Sequence, residues 1–96
     1  MEIKINARDA TNWVSGITSC GFAFEAKVFD EPSVYGISTP RFEDGGNVSI
    51  LSVFDEKCRE VFRFDRGCYS GMVLHYAEAA AKIVAELEAT YCTVGE

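Results

Sequence analysis

The side chains able to do chemistry in this 96-residue chain are few and scattered. The single histidine, His75, stands in a stretch of helical period beside polar neighbours, and no serine or cysteine is spaced to serve it as a nucleophile. A catalytic triad or a metal centre needs several convergent groups, so His75 reads as a solvated helix residue. Four cysteines, Cys20, Cys58, Cys68 and Cys92, lie far apart without a C-x-x-C pair, and neither a zinc knuckle nor a redox motif is written in them. Cys20 and Cys68 adjoin glycines in turn-like segments and are expected at the surface. A reducing compartment would keep all four as thiols. Cys68, His75 and Asp65 could be grouped into a metal or small-molecule site, but their spacing does not select it. The expectation is a chain that is not an enzyme and takes no cofactor and no metal.

Carboxylates are the more telling groups. The pairs Asp30-Glu31, Glu43-Asp44 and Asp55-Glu56 all coincide with turn signals. Carboxylates at turns are usually just solvated, yet loops at one end of a sheet can gather them into a negative patch. Such a patch would imitate phosphate spacing and compete for a nucleic-acid groove on a basic partner. Asp65-Arg66-Gly67 reads first as a salt-bridged turn and second as a recognition loop, because Asp and Gly alone suffice for a turn. Gly45-Gly46 has no lysine and no following helix, which excludes a phosphate-binding loop. Trp13 and Tyr35 are aromatics of the kind that anchor interfaces when exposed. The residues expected to meet a partner are therefore Asp30, Glu31, Tyr35, Glu43, Asp44, Asp55, Glu56, Asp65 and Arg66.

Nine Lys and Arg against fifteen Asp and Glu leave a formal charge of -6, which repels phosphate backbones and argues against direct nucleic-acid binding. No apolar run is long enough to span a bilayer, and residues 1–10 lack the hydrophobic middle of a signal peptide. A cytoplasmic protein without membrane contact is the expectation. Residues 1–96 suffice for one domain, and an apolar fraction of 48% can fill its core without staples.

These residues need elements to hold them. Residues 21–29 alternate, with Phe22, Phe24, Ala26 and Val28 on one side, and predict the central strand; Asp30, Glu31 and Pro32 stop it. Residues 2–5 permit a short edge strand. Residues 11–18 predict a strand interrupted by Gly16, joined through Ser19, Cys20 and Gly21 into an antiparallel hairpin with the central one. Residues 33–41 read as a loop with a short extended piece, Tyr35 and Ile37 folding back over one end of the sheet. Asp44, Gly45, Gly46 and Asn47 give the strongest turn signal. Residues 48–54, apolar almost throughout, predict a strand covered on both faces or central. Residues 58–65 predict a half-exposed strand with Phe62 and Phe64 inward and Arg59 and Arg63 outward.

Residues 65–69 read as a connection, and Ser70 as a helix N-cap. From Met72 to about Tyr91 the period becomes helical: Val73, Ala77, Ala80, Val84, Leu87 and Tyr91 form one stripe, with Glu78, Lys82 and Glu86 opposite. Leu74 and Ile83 widen the stripe, either rimming the core or leaving apolar surface for a second subunit. The fold class is thus α+β: an antiparallel sheet of four to five strands with one C-terminal α-helix packed on one face.

Trp13, Gly16, Gly21-Phe22, Phe24, Ala26-Lys27-Val28-Phe29, Pro32-Ser33 and Tyr35-Gly36-Ile37, followed by Phe64-Asp65-Arg66-Gly67, make a long ordered pattern that resembles a family of small uncharacterised proteins from bacteria and their phages. Cys68 and Tyr69 stand where that family suggests a tryptophan, and the helix is longer and richer in alanine. The resemblance implies no activity; it implies a phage or mobile-element context, in which compact acidic proteins inhibit host defences such as CRISPR effectors. The expected function is a small acidic binding protein, an anti-CRISPR-like inhibitor of a host nucleoprotein complex with a basic surface. The alternative is a homo-oligomeric structural or accessory protein, a homodimer formed through the open sheet face or the helix.

Overall fold

The computed structural model describes residues 1–93. It contains strands β1 (Ile3–Ile5), β2 (Trp13–Thr18), β3 (Ala23–Val28), β4 (Val48–Phe54), β5 (Glu60–Asp65) and β6 (Cys68–Gly71), then helix α1 (Val73–Tyr91). The strands form one sheet in chain order, each antiparallel to the next. The protein is α+β, with a sheet of six strands rather than four to five. The added strand is β6, where the sequence pattern reads as a connection with Ser70 as a helix N-cap. It has no alternating apolar pattern because all four of its residues are exposed. Ser70 lies within it, and the residue capping α1 is Met72, which makes no side-chain cap hydrogen bond.

Pairing and side-chain period together build the core. Phe24, Val53 and Phe62 are cross-strand neighbours, as are Ala26, Leu51 and Phe64, so two apolar rows run across β3, β4 and β5 on the same face. α1 lies over these rows and buries Ala80, Ile83, Val84, Leu87 and Glu88. β4 is buried along nearly its whole length, as its apolar run required for an inner strand. Phe22 precedes β3 instead of lying in it, and its ring meets Tyr76 edge-on at 5.6 Å.

The expected stripe holds at Ala80, Val84 and Leu87, which are buried, and at Val73 and Tyr91, which are half-buried; Ala77 is exposed, and Ile83, which widens the stripe, sits fully in the core. Burying Ile83 and half-burying Tyr76 removes more apolar area from water than burying Ala77, and the helix faces the sheet accordingly. Leu74 falls outside altogether, 96% exposed. Among the described residues, no helix is long and apolar enough to cross a membrane.

Candidate binding cleft

The open face of the sheet carries a cleft at the end where β3 finishes and β4 begins. Its position follows from how the chain leaves β3. The register between β3 and β4 slips after Lys27, so that Lys27 faces Ile50 but Val28 faces Val48. Phe29 is then pinned by Asn47, whose carbonyl accepts the Phe29 N–H at 2.9 Å and whose side-chain amide donates to the Phe29 carbonyl at 3.1 Å. Asp30 to Pro32 swing out, and Ser33 returns by donating its N–H to Gly46 at 3.0 Å. Ile37 and Val48 continue this docking at 2.8 Å, with Gly36 lying so close to the Gly46 carbonyl that a Cβ there has no room. Ile37 is buried over the sheet end as expected, but Tyr35 points out to solvent.

The resulting cleft has a volume of about 580 Å³. Buried Ser49 and Ile50 form its floor, Phe29, Pro32, Ser33 and Tyr35 one wall, and Lys27, Arg66 and the acidic pair Asp30-Glu31 its rim. A second depression of about 360 Å³ lies behind the same loop, shares Pro32 and Ser33, and includes Val34, Arg41, Phe42 and Asp44. Phe29, Val34 and Tyr35 are all exposed here. Aromatic and aliphatic surface thus stands among carboxylates on both sides of one loop.

Charge at this end is partly neutralised. Arg8 pairs with Asp30 at 2.8 Å, donates to the Val28 carbonyl at 3.3 Å and stacks 4.8 Å over Tyr91. Asp65 accepts from Arg66 Nε at 2.9 Å and from Arg63 at 3.1 Å, and the Arg66 hydrogen bond, then that of Arg63, holds its carboxyl below the ordinary range. Asp65-Arg66 is therefore a salt-bridged turn, with Arg66 also reaching the cleft. Glu31, Glu43 and Asp44 have no ion pair among the described residues. Lys27 contacts the Phe29 ring at 5.9 Å and likewise has no carboxylate partner among them.

The structure brings Asp30, Glu31, Tyr35 and Arg66 into one cleft, with Asp65 bonded to Arg66 and with Glu43 and Asp44 in the adjoining loop. Asp55 and Glu56 are not there. β4 carries the chain from the cleft to the other end of the sheet before that turn occurs. Asp55 is a turn former: it accepts the N–H groups of Lys57 at 2.9 Å and Arg59 at 3.0 Å and pairs with the Arg59 guanidinium at 2.8 Å. The Arg59 N–H above all holds its carboxyl low. Lys27, Phe29 and Ser49 were missed by sequence reading; Phe29 continues the wetter alternation just past the end of β3 and ahead of a proline turn, which was the available signal.

Glu88 was missed too. It is buried on α1, accepts from Thr39 Oγ1 at 2.6 Å and lies 4.0 Å from Arg41, clipping the loop behind the cleft to the helix. Its place four residues after Val84 marked it for the core side. Cys20, Cys58 and Cys68 are exposed and Cys92 is buried. Cys68 is the cross-strand neighbour of Asp65, whereas His75 follows the far end of β6. Among the described residues no three His, Cys, Asp or Glu side chains are grouped to hold a metal ion.

These features define a class: an α+β protein whose antiparallel meander carries one helix on one face and leaves the other open, with a cleft at one end. Residues 12–89 match the family described as Domain of unknown function (DUF7678), and the chain belongs to it. No curated protein and no solved structure matches.

Proposed function

We propose that this chain is a non-catalytic binding protein that presents the cleft end of its sheet to a partner with a basic surface. The observation that carries this reading is the meeting of Asp30, Glu31 and Tyr35 with Phe29 around one cleft, next to Asp44. Exposed aromatics supply area to bury, and carboxylates around them choose the partner and steer its approach. The overall charge of -6 adds long-range attraction toward a basic surface.

Its specific form, which rests on the resemblance, is a phage-type, anti-CRISPR-like inhibitor acting in the bacterial cytoplasm. Glu31, Glu43 and Asp44 would take the place of phosphates in a groove of a host nucleoprotein complex. Capture from host lysate tests this with three baits: wild type, a Glu31→Lys/Tyr35→Ala double variant, and Glu56→Lys at the opposite end of the sheet. The expected result is a nuclease complex held by wild type and Glu56→Lys, weakened about tenfold or more by the double variant, a loss of about 1.4 kcal/mol, and released by salt. A blank against defence proteins, or equal capture by all three, overturns the proposal.

A further inference from the structure

The outer edge of β6 is the last edge of the sheet. Arg66 and Gly67, with φ of 47° and 104°, make the two-residue turn before it, the backbone hand that suits a tight hairpin. Asp65 and Cys68 then close the ladder as a hydrogen-bonded pair, and bonded and non-bonded pairs alternate onward. Ser70 bonds Arg63, and the Met72 N–H reaches the Val61 carbonyl at 2.8 Å. Tyr69 and Gly71 fall between, so their N–H groups and the Tyr69 carbonyl point away from β5, and no described residue meets them.

Exposed edges are usually guarded by lysine, proline or a bulge. β1 at the opposite edge has Lys4 at its middle. β6, reading Cys68-Tyr69-Ser70-Gly71, has neither charge nor proline. Beside it stand the exposed side chains of Tyr69, Met72 and Leu74. Above it Ala77, Ala81 and Ala85 on α1 form, with Tyr69, the mouth of an apolar groove of about 320 Å³.

We infer that β6 pairs antiparallel with β6 of a second copy, about a two-fold axis at Ser70, and joins two sheets into one. This inference is independent of the cleft. The edge is complementary to itself: with Ser70 on the axis, Tyr69 of each copy faces Gly71 of the other. Gly71 donates its N–H to the facing Tyr69 carbonyl, since its φ of 83° turns the chain only after that N–H. The tyrosine ring is already held edge-on against Phe62 at 6.0 Å and Phe64 at 4.9 Å in its own copy, and the facing glycine, without a side chain, leaves room beside it. A foreign strand would find only the backbone, whereas a second copy matches Tyr to Gly in both directions. No charge on β6 opposes the approach of two acidic molecules. Met72 and Leu74 close the helix side of the contact, and the two Ser70 side chains meet on the open face with Cβ atoms about 5 Å apart.

The test combines mass in solution with a disulfide trap. Wild type at high concentration should scatter light as about twice 10.6 kDa, and Ser70→Lys, which sets like charges on the axis, should return it to the monomer with an unchanged circular dichroism spectrum. In a background with Cys20, Cys58 and Cys68 changed to Ser, Ser70→Cys should oxidise to a covalent dimer that the background alone does not form. A wild type that stays at 10.6 kDa, a dimer that survives Ser70→Lys, no crosslink at position 70, or a crosslink there to a foreign chain instead of a second copy would overturn the inference.

Discussion

Asp65, Asp55 and Asp9 each hold a turn through a carboxylate, and each is kept below the ordinary aspartate range: Asp65 first by Arg66, Asp55 first by the Arg59 N–H, Asp9 first by the Thr11 hydroxyl. A carboxyl with a depressed folded-state pKa binds its proton more readily when unfolded. The stability it contributes is complete above the unfolded value of about 3.9 and is lost as pH falls through the folded one. Thermal melts should therefore be flat from neutrality to about pH 5 and fall below about pH 4, with Asp65→Asn less acid-sensitive than wild type. A melting temperature unmoved by acid would contradict these turn assignments. Glu88 makes a different kind of contribution, because it is buried and its partner Thr39 belongs to the loop behind the cleft. Glu88→Ala should cost about 1–3 kcal/mol in denaturant unfolding by leaving a buried hydroxyl without its acceptor. A loss within error would mean that the clip contributes nothing to holding the loop.

At the scale of elements, the helix shows how much a period can tell. Its existence, extent and most of its core face were legible from the step of three and four residues; that Ile83 is fully buried while Ala77 is exposed was not, because stripe positions alone do not weigh the area each residue buries. Ile83→Ala, at a site with no exposure, should destabilise by about 2–5 kcal/mol. His75→Ala, on the solvent side of the first turn, should stay within about 0.5 kcal/mol. Equal effects in urea titrations would show that the observed helix orientation is wrong. The two-residue period made β2, β3 and β5 readable, and the unbroken apolar run made β4 readable as an inner strand. β6 escaped because its strand character comes from the Arg66-Gly67 turn and from pairing with β5, neither of which leaves an alternating pattern, and because Arg at a position with φ of 47° is an unusual way to write that turn.

For the molecule as a whole, the candidate site was half legible. Turn chemistry pointed to Asp30, Glu31 and Arg66, and the aromatic ring to Tyr35, all of which line the cleft. The assignment of Asp55 and Glu56 to the same surface failed on parity: in a meander each successive strand delivers the chain to the opposite end, so the turn after β4 cannot join the turn after β3. Lys27, Phe29 and Ser49 depend on the register slip between β3 and β4, which no residue pattern announces. Binding through this end should also weaken with salt, since Glu31, Glu43 and Asp44 are surface charges screened over about 8 Å at physiological ionic strength. Hydrogen exchange on the chain with its captured partner bound decides whether the cleft end is the contact surface. Exchange should slow in residues 27–35 and 64–67 with residues 55–59 unchanged; protection confined to residues 55–59 and the helix, with the cleft exchanging as in the free chain, would contradict binding through the cleft.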